Sequence, residues 1–97
     1  MHWAEKGRRM AERARELFPP GTRIELIHMD DPYHPVPDGT RGTVKLVDDM
    51  GTVFPDWDNG RTLGVVYGED SFRKLTQAEL LEEQQKKDIG QGMDMGM

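Results

Sequence analysis

The dipeptide Asn59-Gly60 constrains the fold of this chain more than any other local feature. It separates two runs rich in β-branched and aromatic residues, "TVFPDW" (52–57) and "RTLGVV" (61–66). Asn-Gly is the preferred pair for a type I′ turn, in which both residues take positive φ. The sequence therefore predicts a tight antiparallel hairpin over residues 52–66, and with it a β-rich fold.

Three further segments have strand character, and they are residues 22–29, 43–47 and 71–75. In the first of them, Ile24 and Leu26 point to one face while Ile27 and Met29 point to the other, so we expect apolar cover on both faces. Alternation predicts the inward side chains of the remaining strands, which are Val44, Leu46, Val53, Pro55, Trp57, Leu63, Val65 and Phe72. Pro55 has no amide hydrogen, which places it at a sheet edge or a bulge.

A helix is predicted at each end of the chain. Residues 3–18 have Trp3, Met10, Ala14 and Leu17 on one face, and Pro19 ends the helical geometry. A capping-box pattern, Thr76 followed by Glu79, opens a highly polar second helix. From Asp88 onward the chain is rich in glycine and methionine, and we expect it to be disordered.

The order of these elements predicts a mainly β protein. Five short strands with a long proline-rich loop (30–42) after the first suggest a sheet that closes on itself. We therefore predict a small SH3-like five-stranded barrel flanked by an N-terminal and a C-terminal α-helix. The predicted domain boundaries are an amphipathic helix over 1–18, the barrel over 19–76, and a polar helix with a disordered tail over 77–97.

Composition narrows the cellular setting and the classes of partner. The 97 residues include no cysteine, which fits a reducing compartment. No apolar run reaches the ~20 residues of a membrane span, so we expect a soluble, cytoplasmic protein. The net charge is −5. Residues 19–76 carry six basic and ten acidic side chains, and this excess of negative charge disfavours binding to phosphate backbones.

Four stretches carry a family resemblance: "MDDPY" (29–33), "GTRGTV" (39–44), "WDNG" (57–60) and "DSFRKL" (70–75). Over roughly Pro20 to Leu75 the chain resembles the family of domains of unknown function numbered 4314. That resemblance implies an SH3-like barrel and an origin in phages, plasmids or conjugative elements of bacteria. It implies no activity. Pro55 and Tyr67 depart from the pattern of the family, at positions where an aliphatic residue and a proline are usual.

Candidate chemical sites are few. His28, Asp30, Asp31 and His34 could ligate a metal, but their spacing matches no compact motif, and Asp before Pro is ordinary turn chemistry. Ser71, the single serine, has no glycine elbow beside it. The tail methionines Met93, Met95 and Met97 are better explained by an unstructured segment than by Cu(I) binding. We predict no catalytic residue, no cofactor and no metal, and hence a protein that is not an enzyme.

The remaining candidates are side chains that a protein partner could contact. Grooves of SH3-like barrels bind extended peptides between aromatic walls. The predicted partner-binding residues are Asp30, Asp31, Tyr33, His34, Trp57 and Tyr67. A core position explains Trp57 better than a partner contact does, because Val53 and Pro55 alternate with it. For Tyr33, packing on the barrel and binding a partner are equally good interpretations.

These observations predict a non-enzymatic protein-interaction module from a mobile element. A nucleic-acid accessory protein is one alternative, because Arg8, Arg9, Arg13 and Arg15 could line one helix face. An acidic inhibitor of a host defence nuclease is another, supported only by the negative charge of residues 19–76. The sequence does not determine the oligomeric state or the identity of the partner.

Overall fold

The computed structural model describes the backbone of residues 2–95 and the side chains of residues 7–86. In chain order, one helix precedes five strands and a second helix follows them. They are α1 (His2–Leu17), β1 (Arg23–His28), β2 (Arg41–Val47), β3 (Thr52–Trp57), β4 (Val65–Val66), β5 (Ser71–Lys74) and α2 (Gln77–Met95). Of the helices in residues 2–95, none is both long enough and apolar enough to cross a bilayer.

The five strands form one antiparallel sheet in the order β4-β3-β2-β1-β5. Consecutive strands pair from β1 to β4, and β5 returns to pair with β1. No ladder joins β4 to β5, so these two strands are the edges and the sheet is open. The prediction of a mainly β fold with a helix at each end is confirmed, whereas closure into a barrel is not.

One face of the sheet carries the hydrophobic core. The residues buried there are Ala14, Phe18, Ile24, Leu26, Met29, Val36, Val44, Val53, Trp57 and Val65. They come from α1, from Phe18 directly after it, from the loop after β1 and from strands β1 to β4. Polar side chains occupy the alternating positions of β1 and β2, so the second face of the central strands is hydrophilic.

Two bulges change the predicted alternation. Leu26 pairs with Phe72 and His28 with Ser71, which leaves Ile27 as an extra residue in β1. Ile27 is therefore half exposed, while Met29 returns to the core face. The expectation that Ile27 and Met29 share a second apolar face is wrong, because a bulge reverses the side-chain parity of everything beyond it.

The second bulge lies at Lys45 in β2, between the pairs Val44–Pro55 and Leu46–Phe54. Beyond it Val47 packs against the core, whereas Leu46, predicted to face inward, is half exposed. Pro55 sits beside this bulge, as its missing amide hydrogen predicted, and it is fully buried.

The hairpin at Asn59-Gly60 forms, but its turn is not type I′. The amide of Gly60 donates to the carbonyl of Trp57 at 2.9 Å, and the amide of Trp57 donates to the carbonyl of Arg61 at 3.0 Å. Within this turn only Gly60 has positive φ (88°), since no non-glycine residue in the described backbone does. This is a three-residue loop, a type I turn followed by a glycine bulge, and it needs left-handed geometry at the glycine alone.

The strand that returns from this turn is shorter than predicted. We expected it over residues 61–66, but β4 comprises only Val65 and Val66. Val65 is buried as predicted, whereas Leu63 is 39% exposed. A Cβ on Gly64 would lie 2.8 Å from Thr52 Cγ2 and 2.9 Å from the Phe54 ring. Gly64 therefore lies close against side chains of β3, and the regular pairing between the returning segment and β3 begins only at Val65.

The first helix packs on the core as its amphipathic pattern predicts. Ala11 and Ala14 are buried, and Leu17 lies partly buried against the core. Phe18 follows the helix directly and is also buried, with its ring centroid 4.8 Å from that of Phe72. The side chain of Trp3, predicted to lie on the same face, is outside the described residues.

The second helix begins at the predicted capping box. The Glu79 amide donates to Thr76 Oγ1 at 3.1 Å, and the Thr76 amide donates to Glu79 Oε1 at 2.8 Å. The backbone is helical to Met95, whereas we expected disorder from Asp88 onward. Glycines disfavour a helix interior by only ~1 kcal/mol each, and no proline interrupts the segment. Its side chains after Lys86 are outside the described residues.

Candidate functional site

The loop over residues 29–40, between β1 and β2, is the candidate interaction surface. Its first part is a turn built on Asp31, whose Oδ1 accepts from the amides of Tyr33 at 2.8 Å and His34 at 3.4 Å. Asp residues favour this geometry because the short carboxylate reaches amides two and three positions ahead. The turn therefore fixes the backbone that carries Tyr33.

Contacts with distant residues fasten both ends of the turn. The amide of Asp30 donates to Asp70 Oδ1 at 3.0 Å, while Asp70 Oδ2 accepts from the amide of Val66 at 2.8 Å. On the other side, the Arg61 guanidinium donates to the carbonyl of His34. Asp70 and Arg61 thus tie the loop to the two ends of the segment that contains β4.

The rest of the loop lies along β1. Val36 is buried in the core, and the amide of Gly39 donates to the carbonyl of Leu26 at 2.7 Å. The Nδ1 atom of His28 lies 3.2 Å from Asp38 Oδ1. Because so many backbone groups of the loop are satisfied, its exposed side chains project from an ordered scaffold.

Tyr33 is the side chain that this scaffold exposes most. It is 82% exposed, more than any other large hydrophobic side chain that the structure describes. An aromatic ring exposed on ordered backbone loses little conformational entropy when it binds a partner. Asp30, Asp31 and His34 lie within three positions of it in the chain, so four of the six predicted partner-binding residues belong to this loop.

The other two predicted residues lie elsewhere. Trp57 is 3% exposed, and its Nε1 donates to the carbonyl of Leu63 at 2.7 Å. Tyr67 is half-buried against the core, with its ring edge-on to Phe18 at a centroid distance of 6.1 Å. Both side chains hold the fold together, and the core interpretation of Trp57 is the one the structure supports.

The residues considered as metal ligands do not converge. Asp31 caps its own turn, His28 faces Asp38, and the backbone of His34 binds Arg61. In the part of the chain whose side chains are described, no three His, Asp or Glu residues come together in a way that could hold a metal ion.

A second site, which the sequence analysis missed, lies on the hydrophilic face of the sheet. We call it the arginine cluster: Arg23 of β1, Arg41 of β2 and Arg73 of β5. Strand register creates it, because Glu25 of β1 lies directly opposite both Arg41 and Arg73. Glu25 Oε1 lies 3.0 Å from Arg41 Nε, and Oε2 lies 3.1 Å from Arg73 Nη2. A row of alternating charge therefore crosses three strands.

The second helix lies over this cluster with two carboxylates one turn apart. Glu79 accepts from both Nη atoms of Arg73, at 2.8 and 2.7 Å, and from Arg41 Nη2 at 3.1 Å. Glu83 accepts from Nε and Nη2 of Arg23, at 3.0 and 2.6 Å, and from Arg41 Nη1 at 3.3 Å. Each glutamate thus bridges two arginines, and one pair in each case is bidentate.

Arg23 has a further carboxylate partner in the hairpin turn. Asp58 Oδ1 and Oδ2 lie 2.8 and 2.7 Å from its two Nη atoms, and Thr43 Oγ1 accepts at 3.2 Å. Hydrogen bonds from Arg23 hold the pKa values of Asp58 and Glu83 below their ordinary values. Those from Arg73 lower the pKa of Glu79 strongly, with help from Thr76. All three carboxylates are therefore ionised at neutral pH.

Two signals in the sequence point toward the arginine cluster. One is the spacing of four between Glu79 and Glu83, which places both on one helix face. The other is the alternation Arg23-Ile24-Glu25, which puts two charges on the face opposite the core. Neither signal identifies the partners, since the charges that meet lie up to 60 positions apart in the chain.

A shallow apolar depression lies between β2 and the segment before β4. Its volume is about 390 Å³, and its lining residues are Lys45, Leu46, Phe54, Pro55 and Thr62. The bulge at Lys45 creates it by turning Leu46 outward.

A family model described as "Domain of unknown function (DUF4314)" matches residues 7–75 of the chain. The match begins within α1, includes the whole sheet and the loop that carries Tyr33, and ends before α2. The search of curated proteins finds no significant match to the chain.

Proposed function

We propose that this chain, which belongs to the DUF4314 family, is a non-enzymatic protein-interaction module that binds its partner through the loop over residues 29–40. The observation that carries the proposal is the 82% exposure of Tyr33 on a backbone fastened by Asp31, Asp70 and Arg61. Large aromatic side chains with this combination of exposure and order are typical anchors of protein interfaces.

An SH3-like architecture and an origin in a mobile genetic element are part of the same proposal. Three features support the architecture: five short antiparallel strands, a long loop between β1 and β2, and the return of β5 to pair with β1. The proposed origin depends on the family resemblance of the loop and hairpin sequences. In SH3-like domains the equivalent loop forms one wall of a peptide-binding groove.

The chemistry beside Tyr33 specifies the kind of partner. Asp31 and Asp30 lie two and three positions before it in the chain, and Oδ2 of Asp31 accepts neither of the turn hydrogen bonds. A segment with an arginine or lysine next to an apolar residue would match this surface, with the cation near the carboxylates and the apolar group on the ring.

Photocrosslinking in the native host tests the proposal. A photoreactive phenylalanine analogue replaces Tyr33 in one version of the protein and Met50 in another. Met50 is the matched control, because it is 76% exposed in a different turn. We expect a discrete adduct with one host protein from position 33 and none from position 50. Equal crosslinking from both positions would show that the loop has no special role.

A substitution measures the importance of the aromatic ring once that adduct is identified. Tyr33→Ala should weaken binding of the purified partner by at least about tenfold, as expected for an interface anchor. Met50→Ala should leave binding unchanged. Both variants should unfold at the same denaturant concentration as the parent, since each side chain is highly exposed.

Binding of nucleic acid by α1 is a second candidate, favoured by the exposure of Arg8, Arg9 and Arg13. Titration with single- and double-stranded DNA at low salt tests it, because electrostatic affinity is greatest there. Binding that the triple substitution of these arginines by glutamine abolishes would support this candidate. Absence of binding at low salt would remove it.

A further inference from the structure

We propose that the arginine cluster is a binding surface for an acidic helix of a partner protein, and that α2 occupies this surface as an intramolecular substitute. The partner helix would carry two carboxylates four residues apart, as α2 does with Glu79 and Glu83. The surface is distinct from the loop that carries Tyr33, so this inference can fail while the proposed function stands.

The first argument is the way in which α2 is held. Over residues 77–86 the ion pairs of Glu79 and Glu83 join it to the sheet, whereas its large apolar side chains Leu80 and Leu81 are 36% and 54% exposed. A helix that is permanently packed on a sheet normally buries an apolar stripe against it. Ion pairs that solvent reaches weaken with added salt and are lost when their carboxylates are protonated, so such an attachment can be released.

The second argument is the shape and charge of the surface that α2 covers. Without α2, the three guanidiniums of the cluster would face two carboxylates among the described side chains, those of Glu25 and Asp58. The planar donors of Arg23 and Arg73 point toward positions one helical turn apart, where Glu79 and Glu83 now lie. Arginine is the residue best suited to bidentate recognition of carboxylates, so the surface selects a charge pattern.

The third argument is where the family match ends. It covers residues 7–75 and so includes Arg23, Arg41 and Arg73, but it stops before α2. The cationic surface thus lies inside the matched region, and the helix that neutralises it lies outside.

Competition by α2 sets a condition on the partner. A tethered ligand acts at a local concentration on the order of millimolar, so an external helix must bind well enough to displace it. The same competition makes the inference testable, because weakening the attachment of α2 in the full chain should expose the arginine cluster to a peptide in solution.

The experiment uses the full chain with Glu79→Gln and Glu83→Gln together. Glutamine preserves the capping box with Thr76, so the helix start is retained while both charges are removed. The matched control is Glu82→Gln, which removes one charge from the same turn at an exposed position. Hydrogen exchange of the α2 amides should be faster in the double variant than in the control.

The probe is a fluorescent peptide of residues 76–87. It carries Leu81→Lys and Gln85→Glu, and a lactam joins these two new side chains. They lie on the side of the helix away from Glu79 and Glu83. The lactam holds a peptide of this length in the helical form, which it would otherwise rarely populate. We expect saturable binding to the double variant, and binding at least about tenfold weaker to the parent and to Glu82→Gln, because their own α2 competes. The same peptide with glutamine at positions 79 and 83 should not bind.

Three results would overturn the inference. The double variant could fail to bind the peptide although its α2 amides exchange faster, which would make the ion pairs purely structural. Its α2 could keep the exchange rates of the control, which would show that the charges do not hold the helix. Finally, a 20-base-pair DNA duplex could bind the double variant more tightly than the peptide, which would identify the exposed arginines as a nucleic-acid site.

Discussion

The two helices of this protein are attached to the same sheet by opposite kinds of interaction. Helix α1 packs Ala11 and Ala14 into the core, and Phe18 at its end contacts Phe72 and Tyr67. Helix α2 lies on the other face, held by glutamates that bridge three arginines. Apolar burial is insensitive to salt and pH, whereas ion pairs are sensitive to both. The comparison shows that one small sheet can hold one helix by apolar burial and another by ion pairs.

The largest effect is expected where α1 joins the core. Phe18→Ala should lower the free energy of unfolding by about 3–5 kcal/mol, the usual cost of removing a buried phenylalanine. Urea denaturation followed by tryptophan fluorescence measures it. Leu81→Ala is the counterpart on α2 and should change stability by less than about 0.5 kcal/mol, because that side chain is half exposed. Equal losses would refute the contrast between the helices.

A smaller effect is expected from overfilling the contact between α1 and the sheet. Ala14 is fully buried, so Ala14→Leu inserts three carbon atoms where no space exists and should cost about 1–3 kcal/mol. Arg13→Leu is the control, because Arg13 is next to Ala14 in the chain but its side chain faces solvent. If Ala14→Leu were neutral by chemical denaturation, the helix would have to be more loosely seated than the structure indicates.

Acid should release α2 before it unfolds the core. The arginines lower the pKa of Glu79 and of Glu83, so these carboxylates contribute stability that is complete above their unfolded-state pKa of ~4.3 and is lost as pH falls through the folded-state pKa. Hydrogen exchange at a series of pH values, corrected for intrinsic rates, should show α2 losing protection below about pH 4 while β2 and β3 keep theirs. Simultaneous loss in helix and strands would contradict this order.

The smallest effect is expected for the ion pair on α1. Arg15 Nη2 lies 2.6 Å from Asp49 Oδ1, but the two side chains are 45% and 99% exposed. A double-mutant cycle with Arg15→Ala and Asp49→Ala should give a coupling energy below about 1 kcal/mol, and added salt should reduce it further. A larger, salt-independent coupling would mean that α1 also depends on charge.

Much of the fold follows from local sequence. The start of α2 is encoded by Thr76 and Glu79, whose reciprocal hydrogen bonds need no tertiary partner. Pro55 marks a bulge because it lacks an amide hydrogen, and Asn59-Gly60 marks a turn because Gly60 tolerates positive φ. The type of that turn was not predictable, since Asn59 can adopt either sign of φ and the flanking strands decide.

The candidate sites were predictable only in part. The Asp31 turn follows from the residues of the loop, because aspartate before proline is ordinary turn chemistry. The exposure of Tyr33 does not follow from them, since packing on the sheet and exposure to a partner suited its position equally well. The burial of Trp57 follows from its alternation with Val53 and Pro55. The position of Tyr67 depends on its contact with Phe18, which the sequence does not specify.

The sequence by itself determined the local elements: where helices begin, where strands turn and which segments are apolar. Only the tertiary structure decided which way the side chains face beyond Ile27 and Lys45, because one extra residue in a strand reverses its alternation. It also decided that Arg23, Arg41 and Arg73 share one surface. Sheet pairing brings distant segments within hydrogen-bond distance, and a local pattern contains no record of its neighbours across the sheet.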